Sequence, residues 1–227
     1  MHVDDAIRTR RSIRAFKPDP VPREVLDDLM EIARRAPSGT NIQPWHVHVV
    51  MGEMRNKLVD AVLQHREKHN AAGGAPDAFS EFPRATKRKE PYTSRMRTLG
   101  KAMYGLLEIP KGDKQANWAQ WGRNYSFFDA PVGLIFTIDK DLEYSSWVDI
   151  GIMVQTIMLA ARARGLDTCA QGAWNNFWTV TKPLLNIPDT QYIVCGMSLG
   201  YADDTQPVNA LISERETVSD FVTFHGG

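Results

Sequence analysis

Residues 36–50 read Ala36-Pro37-Ser38-Gly39-Thr40-Asn41-Ile42-Gln43-Pro44-Trp45-His46-Val47-His48-Val49-Val50, and the reading of this stretch decides the fold. Ahead of it, residues 22–35 carry Val25, Leu26, Leu29 and Ile32 at helical spacing. Pro37 removes a backbone donor and biases Ala36 away from helical angles, so that helix stops here. Ser38, Gly39, Thr40, Asn41 and Gln43 then put small or amide side chains on an irregular backbone. Gly39 lets such a loop approach a flat polar ligand closely, and its neighbours supply donors. Turn formers joining a helix to a strand would have the same composition. From His46 to Met51 the chain turns β-branched and reads as a strand.

Working outward toward the N-terminus, residues 3–11 form a helix candidate with Asp4 and Asp5 in its first turn. It runs into Arg10-Arg11-Ser12-Ile13-Arg14-Ala15-Phe16. A charge cluster is usually a solvated face, but guanidiniums interleaved with a hydroxyl also suit a phosphate group.

Toward the C-terminus, residues 53–69 continue as a helix, with His65 and His69 four apart. Without a third ligand nearby they read as solvated histidines rather than a metal pair. Residues 70–89 turn to Ala, Gly, Pro and charge. Residues 90–104 and 113–127 read as two more helices around a Lys111-Gly112 break. They carry Tyr92, Tyr104, Trp118, Trp121 and Tyr125, rings that line a pocket for a flat substrate or pack a lid onto the body. Residues 130–139 are a nearly continuous apolar strand.

Ser146 and Asp149 have the spacing of a capping box for a helix reaching Arg164, with Gly165 as its stop. Ile150, Ile152, Met153, Val154, Ile157, Met158 and Leu159 make that helix apolar on almost every side. Such a helix is buried all round, and a subunit interface is one way to cover its second face. Ala170-Gln171-Gly172, a helix over 175–186 and a strand over 192–199 follow. The polar tail after Gly200 cannot make a core of its own. Packing of His46 and His48 at the core or sheet edge is the preferred reading of both.

The chain has 227 residues, 43% hydrophobic, with Lys plus Arg equal to Asp plus Glu. One sizeable domain follows, with no internal repeat or linker. Zero formal charge gives no general electrostatic reason to bind nucleic acid or a membrane surface. Cys169 and Cys195 form no framework and read as reduced core residues. The start lacks a signal-peptide pattern, no apolar run reaches membrane-span length, and the expectation is a cytoplasmic protein.

Together these pieces resemble the FMN-dependent nitroreductase family over essentially the whole chain. The residues carrying the likeness are the 10–16 cluster, the stretch from Ala36 to Trp45, Asp129-Ala130-Pro131-Val132, Gln171-Gly172, and Gly200-Tyr201-Ala202-Asp203 through Arg215. The resemblance implies an α+β fold with a central, mostly antiparallel sheet flanked by helices, built as an intertwined homodimer with FMN between subunits. The whole of 1–227 would be one FMN-binding domain. It would carry a helical, lid-like insertion at about 70–125, bending at Gly73-Gly74 and Lys111-Gly112, and a C-terminal arm at about 201–227.

The resemblance places Arg10, Arg11, Ser12 and Arg215 among the residues at the FMN phosphate and Arg14 by the pyrimidine edge. Pro37, Ser38, Gly39 and Asn41 of the other subunit would flank the ring, with Asn124 nearby. The backbone of Gln171 and Gly172 would address N5 and O4. Many relatives have Glu at the place of Gln171, which still offers its backbone N–H, and Lys at that of Ser213, so that phosphate neutralisation leans more on Arg10 and Arg215. The implied activity passes hydride from NADH or NADPH through FMN to a nitroaromatic or quinone-like acceptor in alternation, with no catalytic side-chain acid, base or metal. Tyr92, Tyr104, Trp121 and Tyr125 are the candidate substrate contacts. Two other readings share the same residues: an offshoot doing reductive dehalogenation or flavin cleavage, and a flavin-binding protein without turnover.

Overall fold

The computed structural model describes residues 1–71, 80–81 and 88–226. Seven helices and four strands follow in the order α1 (Val3–Thr9), α2 (Arg23–Ala33), β1 (Trp45–Met51), α3 (Gly52–Ala71), α4 (Tyr92–Leu106), α5 (Lys114–Gly122), β2 (Val132–Asp139), α6 (Tyr144–Ala163), β3 (Asp167–Gln171), α7 (Trp178–Leu185) and β4 (Gln191–Gly200) among the described residues. The strands make one sheet in the order β1-β2-β4-β3, antiparallel at every pairing. This is the α+β arrangement expected.

Both faces of the sheet are covered, which is why β2 is buried from Val132 to Ile138 and largely apolar. Leu134, Phe136 and Ile138 point to one face, where Leu26 and Leu29 of α2 and Ile150, Met153 and Ile157 of α6 meet them. Ile135 points to the other, against Leu58 and Val62 of α3 and the rings Tyr125, Phe127, Trp174 and Phe177. Val194 is the extra residue of a bulge, since Phe136 pairs with Cys195 and Thr137 with Ile193. The bulge resets the alternation, so Tyr192 and Val194 and then Cys195, Met197 and Leu199 all face the α2 and α6 side.

The ring cluster needs two glycines in the sheet. A Cβ at Gly133 would overlap the Phe127 ring, and one at Gly196 would overlap the Trp174 indole. The space they leave holds Phe127 stacked on Trp174, centroids 4.3 Å apart. Tyr125, 0% exposed, meets Phe177 edge to face and accepts the Asn176 amide at 3.2 Å.

Three expectations about the helices need correction. The helix expected over 113–127 ends at Gly122 and gives way to a 3₁₀ turn, Arg123–Asp129. There Phe127, Phe128 and Asp129 all take positive φ. Arg55 holds this unfavourable turn, donating to the Ser126 and Ala130 carbonyls at 2.7 Å each. The helix expected over 175–186 opens as a 3₁₀ turn, Gly172–Phe177, and becomes α-helical only at Trp178. The capping box is absent: α6 starts at Tyr144 behind Glu143 with no side-chain cap, and Asp149 is used elsewhere. The Gly165 stop holds. It takes φ +75°, with Gly165 N–H donating to Arg162 and Leu166 N–H to Ala161 in a Schellman pattern.

α6 is buried on one side only. Tyr144 and Val148 are exposed, and Ile152 and Leu159 are half-buried along the same stripe. The tail is open too, with Phe221 and Phe224 largely exposed. No helix among the described residues is long and apolar enough to cross a membrane.

Candidate functional site

The 10–16 cluster is an extended segment lying beside the open edge of β3. Ser12 bridges to Thr168 in parallel, and Ile13 N–H donates to the Thr168 carbonyl at 3.1 Å. Phe16 N–H goes to Phe128 and Lys17 N–H to Tyr201, so the strained turn and the end of β4 fix the far end. On an extended chain, side chains alternate. Arg10, Ser12 and Arg14 accordingly share one side, all three near enough to act on the Cys169 thiol, which donates to the Ala170 carbonyl at 3.8 Å. Burial nevertheless pushes that thiol upward, so Cys169 is an inert floor to the corner. Ile13 is core, and Arg11 points the other way, its Nη1 donating to the Asn209 carbonyl at 2.9 Å. Arg11 thus does not join the cation group the sequence suggested; it braces the tail.

Arg10 and Arg215 converge instead. Partial burial and the nearby Arg215 charge both lower the Arg10 pKa from its ordinary value. Neither guanidinium meets a carboxylate among the described residues. Arg215 donates only to Ser213 and Glu214 of its own tail, whereas Arg162 and Arg164 pair with Asp167 and Asp28. Two like charges held together without a counter-ion suit a dianionic oxygen cluster such as a phosphate. Arg14 donates to the Ser12 carbonyl at 3.2 Å.

Three residues along β3 from Thr168, roughly 10 Å of strand, lie Gln171 and Gly172. The Gln171 side chain is buried and turned inward, donating to the Asn124 carbonyl at 2.7 Å and accepting from Ser198 at 2.8 Å. Only its backbone and the exposed Gly172 remain for a ligand. The Asn124 amide caps the Trp121 carbonyl at 3.0 Å.

The loop after α2 is built for shape. Thr40, Asn41 and Gln43 take positive φ, uncommon for non-glycine residues. Ser38 Oγ accepts the Gln43 N–H at 2.9 Å, and Gly39 N–H donates to Asp149. Pro37 and Asn41 are exposed beside them. His46 and His48 lie on the edge strand β1, beside Asp139 and Thr137 respectively.

The aromatic residues of 90–125 divide. Tyr92 and Tyr104 lie on α4, which has no fully buried residue. α5 is anchored to the body: Arg66, 3% exposed, stacks 3.5 Å over the Trp118 ring and donates to its carbonyl. A Cβ at Gly122 would come within 2.7 Å of that guanidinium. Trp121 packs half-buried on the aromatic core. Tyr125 is wholly enclosed there, so the structure makes it a core ring rather than a substrate contact. Gly112 takes φ +94°, and Gly73-Gly74 lies outside the described residues. No metal-capable group of three or more His, Cys, Asp or Glu occurs among the described residues; the His65 and His69 rings meet at a tilt of 48°, centroids 4.3 Å apart.

The residue missed from the sequence is Asn209, buried in the tail against Arg14 and Ala15. A lone Asn after Pro-Val in a polar tail looks like a turn former, and no local signal sets it apart.

A model of the nitroreductase family matches residues 7–201. The chain is 43% identical to a 4-nitrobenzoate reductase of Pseudomonas putida, covering 98% of this chain and 95% of that one. It is 40% identical to a nitrobenzene nitroreductase of Ectopseudomonas oleovorans, over 98% and 96%. Among solved structures it is similar to the FMN- and NADPH-dependent nitroreductase NfnB of a Sphigopyxis strain, with TM-score 0.92, 34% identity and full coverage of both chains. It is also similar to the FMN-dependent NfnB of Mycobacterium smegmatis in complex with NADPH, with TM-score 0.91 and 29% identity over 98% and 97%. Together with the antiparallel sheet and the arginine corner at its edge, these matches show that the chain belongs to the nitroreductase family.

Proposed function

We propose that this protein is an FMN-dependent nitroreductase that takes hydride from NADPH or NADH and reduces a nitroaromatic, working as a homodimer. The observation that carries the reading is the corner at the open edge of β3, where the Ser12–Thr168 bridge sets out the Arg10–Arg14 segment, the Arg215 charge is felt at Arg10, and neither of these two arginines meets a carboxylate among the described residues. Arg10, Ser12 and Arg215 would hold the phosphate, and Arg14 the pyrimidine edge. The backbone at Gln171 and Gly172 would meet the ring. The loop carrying Pro37, Ser38, Gly39 and Asn41 would close on the partner's flavin.

When bound, FMN supplies a hydride acceptor that can return the hydride to a second substrate. The chain's own residues bind, orient and tune. Arg14 is placed to lower the cost of negative charge on the pyrimidine side. Loop 38–43 arrives pre-shaped, because its positive φ values are already fixed by Ser38 and Asp149. One turn takes one hydride from the nicotinamide and one proton from solvent, converting a nitro to a nitroso group with loss of water, and a second hydride and proton take the nitroso group to the hydroxylamine. No side chain is required to supply those protons. α4, carrying the exposed Tyr92 and the half-buried Tyr104, is the lid part of the insertion, with α5 as its fixed base.

The names of the relatives support nitrobenzoates and nitrobenzenes as the substrate class. Steady-state oxidation of NADPH by FMN-loaded protein tests this. Oxidation that depends on 4-nitrobenzoate and yields the hydroxylamino product is expected. Oxidation indifferent to nitroarenes but dependent on a haloaromatic would favour the dehalogenating alternative.

A further inference from the structure

Asn209 is 4% exposed in a tail whose neighbours Pro207 and Ala210 are open to solvent. Its side chain makes three hydrogen bonds inward and uses both amide donors. Oδ1 accepts the Arg14 N–H at 2.8 Å, and Nδ2 donates to the Ala15 carbonyl at 2.8 Å and the Asp203 carbonyl at 2.9 Å. Its own carbonyl accepts the Arg11 guanidinium at 2.9 Å. Buried polar groups are normally paired, but one residue pairing four groups of two separate segments is a clamp.

The segments it joins are the two halves of the arginine corner. Along 10–17 the backbone is tied at Ile13, Phe16 and Lys17, and the Ala15 carbonyl accepts the Asp203 N–H at 3.1 Å. Between those ties, the N–H of Arg14 is held by Asn209 alone among the described residues. Fixing that N–H fixes the alternation that puts Arg14 on the side of Ser12 and Arg10, and the Asn209 carbonyl draws Arg11 to the opposite side. On the other half, Asn209 anchors the tail six residues before Arg215, which has no tie outside its own segment. Glu216, the next residue, pairs with Arg95 of α4 at 2.5 Å, so Arg215 is held between that ion pair and Asn209. We infer that Asn209 is a positioning residue for the FMN phosphate, holding the Arg10–Arg14 segment and the Arg215-bearing tail in one register. The inference rests on the FMN reading above.

The position requires an amide. Aspartate has no donor for the Ala15 and Asp203 carbonyls, and alanine leaves the Arg14 N–H and the Asp203 carbonyl without this partner, while the Ala15 carbonyl keeps the Asp203 N–H at 3.1 Å and Arg11 keeps the backbone carbonyl.

Apo-protein is titrated with FMN and, separately, with riboflavin, which lacks the phosphate, following quenching of flavin fluorescence. The wild type is expected to prefer FMN strongly; a wild type with no such preference would overturn the FMN reading itself. In Asn209→Ala, FMN affinity is expected to fall about tenfold or more, as for loss of a charge-assisted contact. Riboflavin affinity should fall much less, so the preference shrinks. Asn209→Ser, which keeps one polar contact, should shift the preference the same way by less, and stands in where the alanine variant does not fold. In an Arg215→Ala background the effect of Asn209→Ala on FMN should shrink to the part that runs through the Arg10–Arg14 segment. Wild-type preference retained in the Asn209 variants, or equal loss of FMN and riboflavin, would overturn the positioning role and leave the FMN reading standing.

Discussion

Asp149 accepts the Gly39 N–H through both carboxylate oxygens, at 3.2 and 3.3 Å, and so ties the loop after α2 to the half-open helix α6. The carboxylate is buried, and this is its one hydrogen-bond donor among the described residues. The contact spans 110 residues of sequence and sets a loop whose Thr40, Asn41 and Gln43 hold unfavourable backbone angles. Asp149→Ala should release those angles. A loss of about 1.5–3 kcal/mol is expected, as for a hydrogen bond to a charged group, read as a lower melting temperature together with weaker FMN binding. Asp149→Asn retains an acceptor and should lose less. Undiminished melting temperature and flavin affinity in Asp149→Ala would separate the loop from α6.

Arg215→Ala should weaken FMN binding roughly ten- to a hundredfold while keeping the fold, since it removes one charge-assisted phosphate contact. It also removes a like charge that lowers the Arg10 pKa, so without flavin the variant should be no less stable than the wild type. Titration of the apo-protein beside a thermal melt checks both halves. Unchanged flavin affinity would contradict the phosphate assignment.

The exposed stripe on α6 gives a dimer test. Val148, 65% exposed, sits between Tyr144 and Ile152 on the uncovered side. If a second copy covers that stripe, Val148→Glu puts an unpaired charge in the interface. Sedimentation should show a dimer for the wild type at micromolar concentration and a monomer with little bound flavin for the variant. A folded, flavin-loaded wild-type monomer would contradict the proposal.

Tyr92 and Tyr125 separate lid from core. Tyr125→Ala should cost about 3–5 kcal/mol of stability, because the ring is enclosed by Trp174 and Phe177. Tyr92→Ala should leave the melting temperature nearly unchanged and raise KM for a nitroarene with flavin content intact. A stable Tyr92→Ala enzyme with wild-type KM for every nitroarene tested would remove Tyr92 from the substrate site.

What was legible in the sequence is what short-range pattern encodes. The unbroken apolar run of β2, the helix end at Gly165 and the break at Pro37 all appear where the residues place them. The pattern misleads where a distant contact captures a residue. Ser146 and Asp149 have capping-box spacing, yet Asp149 serves Gly39 instead. Arg11 belongs to a basic cluster by sequence, but strand alternation and Asn209 turn it away. Phe127 and Phe128 look helical until Arg55 and the space over Gly133 permit a left-handed turn. Asn209 itself is illegible locally, because three of its four partners lie almost two hundred residues away.

The most direct test of FMN-dependent nitroreduction is anaerobic mixing of FMN-loaded protein, first with NADPH or NADH and then with 4-nitrobenzoate. The flavin absorbance should bleach with one equivalent of nicotinamide and return, in a separate second step, on addition of the nitroarene, with nitro reduction matching the nicotinamide consumed. A flavin that stays oxidised with both nicotinamides, or one that bleaches and is not reoxidised by the nitroarene, would contradict the assignment.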